Sequence, residues 1–119
     1  MQYEYFYGAQ AEQFSFYRIP KALFTEPNFR ELSTDAKVLY GILLDRMSLS
    51  LKNQWLDAQN KVYIIFTVEE IMDALNCANQ KATRLMVELE KRAGLIERKR
   101  QGLGRPNLIY AHYRMALHT

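Results

Sequence analysis

Apolar residues recur every three to four positions in two adjacent stretches of the chain, residues 67–75 and 79–93. This spacing is typical of helices that bury one face. A T-x-x-E pair at residues 67–70 predicts a capping box at the start of the first helix. Because only a short turn separates the two stretches, the pattern predicts a helix-turn-helix over residues 67–93.

Residues 36–47 form a third apolar stretch, which Ser33 and Thr34 precede as candidate N-caps. Its apolar positions cover more than one face of a helix, and such a helix is buried on most sides. We therefore expect the central helix of the domain here, and a candidate dimer contact. The narrow polar stripe that remains consists of Lys37, Gly41 and Asp45.

Strands are predicted where β-branched and aromatic residues cluster. Residues 62–66 form one such run, after a polar loop at residues 48–59. Beyond Gly94, which ends the second helix of the pair, two further runs flank a glycine-rich turn. Residues 95–113 are thus expected to form a β-hairpin, hereafter the wing.

Residues 1–20 carry aromatic side chains on both sides of Gly8, which predicts a β-hairpin arm or an extended segment. So many rings must pack on their own domain or on a second subunit. We favour the second subunit, because the aromatic residues exceed what one small core can bury.

The order strand, helix, corner and hairpin defines the expected fold. It is an α+β winged helix-turn-helix with a three-helix core, a β-hairpin wing and an N-terminal aromatic arm. The 119 residues fit a single domain, 1–119. The longest apolar run, residues 38–44, is far shorter than the roughly 20 residues that cross a bilayer. With no signal-peptide pattern and one cysteine, a cytoplasmic location is expected.

Positive charge is concentrated in one part of the chain. The net charge is +3, but residues 91–105 alone carry +5 and the remainder −2. A cationic segment in an otherwise slightly acidic chain favours a polyanionic partner.

Candidate DNA contacts follow from the fold. In a DNA-bound helix-turn-helix, the first residues of the second helix reach base edges in the major groove, and Gln, Arg, Lys and Thr can read bases there. Wing cations can neutralise phosphates, and an arginine at the tip can enter a minor groove. The helix candidates are Asn79, Gln80, Lys81, Thr83 and Arg84, with Glu88 and Lys91 further along the same outer face; the wing candidates are Arg98, Lys99, Arg100 and Arg105.

Three stretches resemble the N-terminal domain of RepA-type plasmid replication initiators of Gram-positive bacteria: AKVLYGILLDRMSLS, KVYIIFTVEEIMDALNCANQKATRLMVELEK and GLIERKRQGLGRPNLIY. The resemblance covers about residues 14–113. It implies a winged-helix domain that binds repeats in duplex origin DNA as a dimer and starts replication. It implies DNA contacts by Asn79, Gln80, Lys81 and Arg84 in the helix, and by Arg98, Lys99, Arg100, Gln101, Arg105 and Asn107 in the wing.

The initiators of that family continue into further domains, so the chain is expected to be the N-terminal part of a longer initiator. Those absent regions would be the ones to recruit the replication machinery.

No enzyme, cofactor or metal site is expected. A metal site needs three or four ligands, and the only cysteine and histidines are Cys77 and, far downstream of it, His112 and His118. We expect Cys77 to be a buried or half-buried structural thiol. Gly102 and Gly104 lack the third glycine and the following helix of a dinucleotide fingerprint. Two alternatives remain open, a winged-helix transcriptional regulator and a protein-interaction adaptor, although an adaptor does not need the basic wing.

Overall fold

One long helix dominates the first half of the chain, and two short helices with a hairpin make up the second. The computed structural model describes residues 4–8 and 14–112. The elements are α1 (Ala22–Thr25), a 3-10 turn (Pro27–Phe29), α2 (Thr34–Lys52), α3 (Val68–Leu75), α4 (Asn79–Val87), a π-helical turn (Glu88–Arg92), β1 (Ile96–Lys99) and β2 (Leu108–Ala111). The strands pair antiparallel, from Ile96 opposite Ala111 to Lys99 opposite Leu108.

The core lies where α2, α3 and α4 meet the base of the hairpin. Each helix contributes fully buried side chains, and the hairpin adds Ile96 and Ile109. Burial of one such side chain stabilises a fold by about 1.5–3 kcal/mol. The helix contributions include Leu39 and Leu43 from α2, Ile71 from α3 and Leu85 from α4. A three-helix core with a β-hairpin wing is the architecture that the sequence predicts.

Helix α2 is longer than predicted. It begins at Thr34, and its N-cap is Ser33, whose hydroxyl accepts a hydrogen bond from the Ala36 N–H at 3.2 Å. It continues to Lys52 instead of ending at residue 47, because residues 48–52 contain no glycine or proline to stop it. The predicted loop accordingly begins five residues late, at Asn53.

The polar stripe of α2 is partly a packing surface. A side chain at Gly41 would place its Cβ 2.8 Å from Ile19 Cγ1 and 3.1 Å from the Arg18 carbonyl oxygen, so the close approach of the N-terminal segment requires a glycine there. Lys37 is buried too, with its Nζ 4.5 Å from the centre of the Phe24 ring. Only Asp45 of the three is exposed.

Of the two alternatives predicted for the N-terminus, the β-hairpin does not form in the part that the structure describes, which leaves the extended segment. Residues 4–8 and 14–20 contain no strand, and residues 9–13, where the hairpin would turn, lie outside the described residues. The rings are largely exposed, as at Tyr5 (84%). Phe14 makes edge-to-face contacts with Phe6 at 5.6 Å and Phe16 at 6.4 Å between ring centroids, so these aromatic residues contact one another.

The predicted strand at residues 62–66 is reduced to single bridges. Val62 pairs with Leu56, and Ile64 exchanges two hydrogen bonds with Ile109 at 2.8 and 2.9 Å. The ladder cannot extend, because Thr67, three residues beyond Ile64, is already the N-cap of α3. There Thr67 and Glu70 form the predicted capping box, each side chain accepting from the other residue's backbone N–H.

The remaining boundaries agree with the pattern more closely. Helix α4 begins at Asn79 as predicted, but its last turn, Glu88–Arg92, is π-helical. Gly94 ends it with a φ of +65°. The wing strands are shorter than predicted, with a turn from residue 100 to residue 107 between them, hereafter the wing tip. No helix in the described ranges has the length and apolar character needed to cross a membrane.

Candidate nucleic-acid interface

Helix α4 presents one polar face and buries the other. Ala82, Leu85 and Met86 are buried in the core, at the three-to-four-residue spacing that the sequence showed. The predicted base-reading residues lie on the opposite side. Those that are exposed are Asn79, Gln80, Thr83 and Arg84, and Lys81 is half-buried. The start of α4 therefore offers a set of hydrogen-bonding side chains on a rigid support.

Two contacts with the first turn of α2 hold α4 in place. The Glu88 carboxylate accepts hydrogen bonds from the Ser33 N–H and the Ser33 hydroxyl, each at 2.9 Å. The Lys81 ammonium group forms a salt bridge with Asp35. One of the predicted base-reading cations is thus already paired with a carboxylate.

The prediction that Glu88 lies on the outer face of α4 is wrong. Its relative exposure is 7%. The start of α2 covers this side of the helix, and Ser33 supplies the two donors that make a buried carboxylate tolerable. Helical periodicity alone cannot reveal such a partner, which lies 55 positions away in the sequence.

At the base of the wing, Arg98 is held by Glu90. The Arg98 Nε and one terminal nitrogen lie 3.0 and 2.8 Å from one oxygen of Glu90, and the Arg98 backbone N–H donates to the other oxygen at 3.0 Å. The two side chains are 25% and 15% exposed. Partial burial acts to raise the pKa of Glu90, but the hydrogen bonds and charge of Arg98 outweigh it and lower that pKa overall.

The wing tip leaves its cations open to solvent. Lys99, Arg100 and Arg105 are exposed, and none of them forms a salt bridge within the described part of the chain. The turn is braced by the Gln101 side chain, which donates to the Pro106 carbonyl oxygen at 2.8 Å. Gly102 and Gly104 supply φ values of +116° and +77° that other residues rarely adopt.

The remaining predicted residues lie around these two groups. Lys91 is exposed in the π-helical turn after α4, and Asn107 is exposed where the wing tip meets β2. Arg98, Arg105 and Asn107 line one shallow depression of about 290 Å³, together with the start of α3. The wing is therefore adjacent to the helix-turn-helix, as the predicted DNA-binding arrangement needs.

A second polar cluster supports the opposite side of the wing. Asp57 accepts hydrogen bonds from the backbone N–H groups of Gln59 and Lys61 at 2.8 and 2.9 Å, and from the Tyr110 hydroxyl at 3.0 Å. The Lys61 backbone hydrogen bond is the main cause that lowers the pKa of Asp57. The Lys61 ammonium group also lies 5.3 Å from the Tyr110 ring centre. This cluster ties β2 to the loop after α2.

The cysteine and one histidine take ordinary positions. Cys77 is a half-buried free thiol, as predicted. His112 is exposed, with Nε2 3.3 Å from a Glu97 oxygen. His118 lies outside the described residues. Among the residues that are described, no three His, Cys, Asp or Glu side chains are grouped so that they could hold a metal ion.

Sequence reasoning missed Ser33 as a partner of α4, and it missed Asp35 and Glu90 as partners of the cations. Ser33 was recognisable as a helix cap but not as a donor to Glu88. Glu90 and Arg98 are eight positions apart, one in a helical turn and one in a strand. No local pattern predicts that pair.

Known proteins resemble this chain along most of its length. A curated relative described as "41 kDa protein" from Lactobacillus helveticus is 32% identical over 92 residues, 77% of this chain. The chain spans only about a quarter of that relative's length, 26%.

Three solved structures share the fold. One described as "N-Terminal domain of DNA binding protein" is 38% identical with a TM-score of 0.78, covering 96% of this chain and 86% of its own. A second, "Structure of Rep-DNA complex", has the same identity and TM-score and covers 94% and 85%. A third, "Structure of MDR initiator", is 40% identical with a TM-score of 0.74, covering 92% and 86%.

The sequence profile of the family "Replication initiator protein A (RepA) N-terminus" matches residues 15–118, nearly the whole chain. The resemblance stated from three sequence stretches is thereby confirmed, and so is the winged-helix fold. The chain belongs to the family of RepA replication initiator N-termini.

Proposed function

We propose that this chain is the sequence-specific, duplex-DNA-binding domain of a plasmid replication initiator. The observation that carries the proposal is the arrangement of α4 and the wing. A helix with an exposed polar start is followed by a hairpin whose tip carries cations that form no salt bridge with any described residue. The description of one relative as a Rep–DNA complex supports the same use of the fold.

In this proposal α4 enters a major groove and the wing tip lies on the flanking backbone. The residues assigned to bases are Asn79, Gln80, Lys81, Thr83 and Arg84; those assigned to the backbone are Lys91, Lys99, Arg100, Gln101, Arg105 and Asn107. Arg105 also fits a narrow minor groove, which attracts arginine. Arg98 is placed outside the contact set, because Glu90 occupies its guanidinium group.

We further propose that two copies bind together. The exposed rings of the N-terminal segment supply an apolar surface that a second copy can cover. They include Tyr5, Phe6, Phe14, Phe16 and Tyr17. A dimer would place two α4 helices on neighbouring half-sites, as repeated origin sequences require.

The function of the longer protein follows from this assignment. We take the chain as a single domain that forms the N-terminal part of a cytoplasmic initiator. It selects the origin repeats, and regions beyond it recruit the replication machinery.

Selection of bound duplexes from a random DNA library tests the proposal. Recovery of a repeated or palindromic site would support it. Failure to enrich any sequence, with no salt-dependent binding to duplex DNA, would favour the protein-interaction adaptor instead.

Fluorescence anisotropy on the selected site then separates the two contact groups. Arg84→Ala should weaken binding to that site by about 1–3 kcal/mol and leave non-specific binding nearly unchanged. Lys99→Ala should weaken binding to every duplex and reduce the slope of log K against log salt by about 0.9. Lys52→Ala is the charge-matched control, because Lys52 is exposed at the end of α2 opposite to the end that contacts α4. If all three variants bind like the wild type, the docking arrangement is wrong.

A further inference from the structure

One carboxylate connects the end of the proposed recognition helix to the wing. Glu90 lies in the π-helical turn that extends α4, and it accepts three hydrogen bonds from Arg98 of β1. Two come from the guanidinium group and one from the backbone N–H. A planar guanidinium held at two nitrogens fixes direction as well as distance.

The contact lies at the point where the hairpin leaves the body of the protein. Arg98 and Ile109 are opposite each other in the register of the two strands. The backbone N–H of each points away from the other strand, that of Arg98 to Glu90 and that of Ile109 to Ile64. At the Arg98–Ile109 pair, the outer edge of β1 is therefore held by Glu90 and the outer edge of β2 by Ile64.

From Arg98 and Ile109 towards the wing tip, little else restrains the hairpin. The only further pair in the register is Lys99 and Leu108, after which residues 100–107 are all exposed. The angle between α4 and the wing tip is consequently set near Arg98. On the helix side, the Leu95 N–H donates to the Leu89 carbonyl oxygen just before β1, and Glu90 holds β1 itself at Arg98.

We infer that Glu90 is a positioning residue for DNA binding, which holds the wing through Arg98 at the angle where its tip cations reach the backbone while α4 occupies the groove. The inference rests on the proposed function. It also gives Arg98 a role that differs from the phosphate contact expected for a wing arginine. Arg98 acts through Glu90 and does not touch DNA.

Removal of the Glu90 charge distinguishes positioning from simple electrostatics. Electrostatics alone predicts that Glu90→Gln binds DNA more tightly, because one negative charge near the phosphates is lost. Positioning predicts the opposite, an affinity for the selected site about tenfold weaker. Glu97→Gln is the matched control, since it removes the same charge from the neighbouring strand position without touching Arg98. Affinity for the control variant should be unchanged or slightly higher.

The salt dependence of binding gives a second, independent readout. Arg98→Gln should weaken binding without changing the slope of log K against log salt, whereas a lost phosphate contact would reduce that slope by about 0.9. A reduced slope for Arg98→Gln, or wild-type or tighter binding by Glu90→Gln, overturns the inference.

Amide hydrogen exchange in the free protein tests the positioning role of Glu90 without DNA, so its outcome does not depend on the proposed function. In Glu90→Ala the Arg98 amide should exchange about tenfold faster or more, while amides of α3 remain protected. Unchanged exchange at Arg98 overturns the positioning role even if the chain binds DNA. If the wild type enriches no DNA site, the proposed function fails, but faster exchange still shows that Glu90 holds the wing.

Discussion

The start of α4 and the wing tip carry similar polar side chains, but the protein holds them in different ways. Helix α4 has a fully buried face, and Ser33 and Asp35 of the α2 N-terminus contact its side chains. The wing tip is exposed throughout and is braced by the side chain of Gln101 and two glycine conformations. The first region is fixed by the core, and the second is fixed by its own turn.

This difference matches two different tasks in the proposed complex. Reading base edges requires hydrogen-bonding groups at defined positions, because each good pair depends on direction. Neutralising phosphates depends mainly on charge and tolerates small displacements. The pairing of cations follows this division only at Lys81, which Asp35 holds; Arg84 of α4, like Lys99 and Arg100 of the wing tip, forms no salt bridge in the described part of the chain.

The same substitution in each region gives the largest expected contrast. Leu85→Ala removes a fully buried side chain of α4 and should lower the free energy of unfolding by about 2–5 kcal/mol. Leu103→Ala removes a fully exposed side chain of the wing tip and should change it by less than about 0.5 kcal/mol. Urea denaturation measures both values. Equal losses would mean that the wing tip packs against something in solution, and the comparison would fail.

A smaller loss of folding stability is expected when the contact between Ser33 of the α2 N-cap and Glu88 is removed. Ser33→Ala removes two hydrogen bonds of the Ser33 hydroxyl, the N-cap bond that it accepts from the Ala36 N–H and the bond that it donates to the Glu88 carboxylate. The free energy of unfolding should fall by about 1–2 kcal/mol. Ser48→Ala is the matched control, because Ser48 is exposed on the same helix and its hydroxyl reaches only the Leu44 carbonyl oxygen. A loss for Ser48→Ala as large as for Ser33→Ala would contradict a specific role for the link.

Local patterns in the sequence were sufficient for much of the fold. The capping box of α3, the start of α4 at Asn79 and the stop at Gly94 all depend on residues within one or two turns of each other. Such interactions require particular residue types at a fixed spacing in the sequence, and a pattern search can find them. The architecture followed from the order of these elements.

The contacts between elements could not be read from spacing. Glu88 has the position of an outer-face residue, yet Ser33 covers it from a distant part of the chain. Gly41 looked like part of a polar stripe, but it is the point where Ile19 crosses α2. The run at residues 62–66 has strand composition, but only Ile64 meets a partner strand. In each case a tertiary neighbour decided the outcome.

The smallest expected effect concerns the link between the two regions and its dependence on pH. The pKa of Glu90 is lowered in the folded protein, because the hydrogen bonds and charge of Arg98 outweigh the partial burial that acts to raise it. A lowered carboxylate pKa means that the stabilisation is fully present above the ordinary value of 4.5 and is lost as the pH falls through the folded-state pKa. The wild type should therefore be more stable than Glu90→Gln near neutral pH, and the gap should close in acid.

Urea denaturation of both proteins across this range measures the gap. Asp57, whose pKa is also lowered, titrates in both and cancels from the difference. A gap that stays constant down to the lowest pH at which both proteins fold would show that the charge of Glu90 contributes nothing to the link. The wing would then be held to the helix by uncharged hydrogen bonds, including that from the Leu95 N–H to the Leu89 carbonyl oxygen, and by the packing of Ile96 and Ile109.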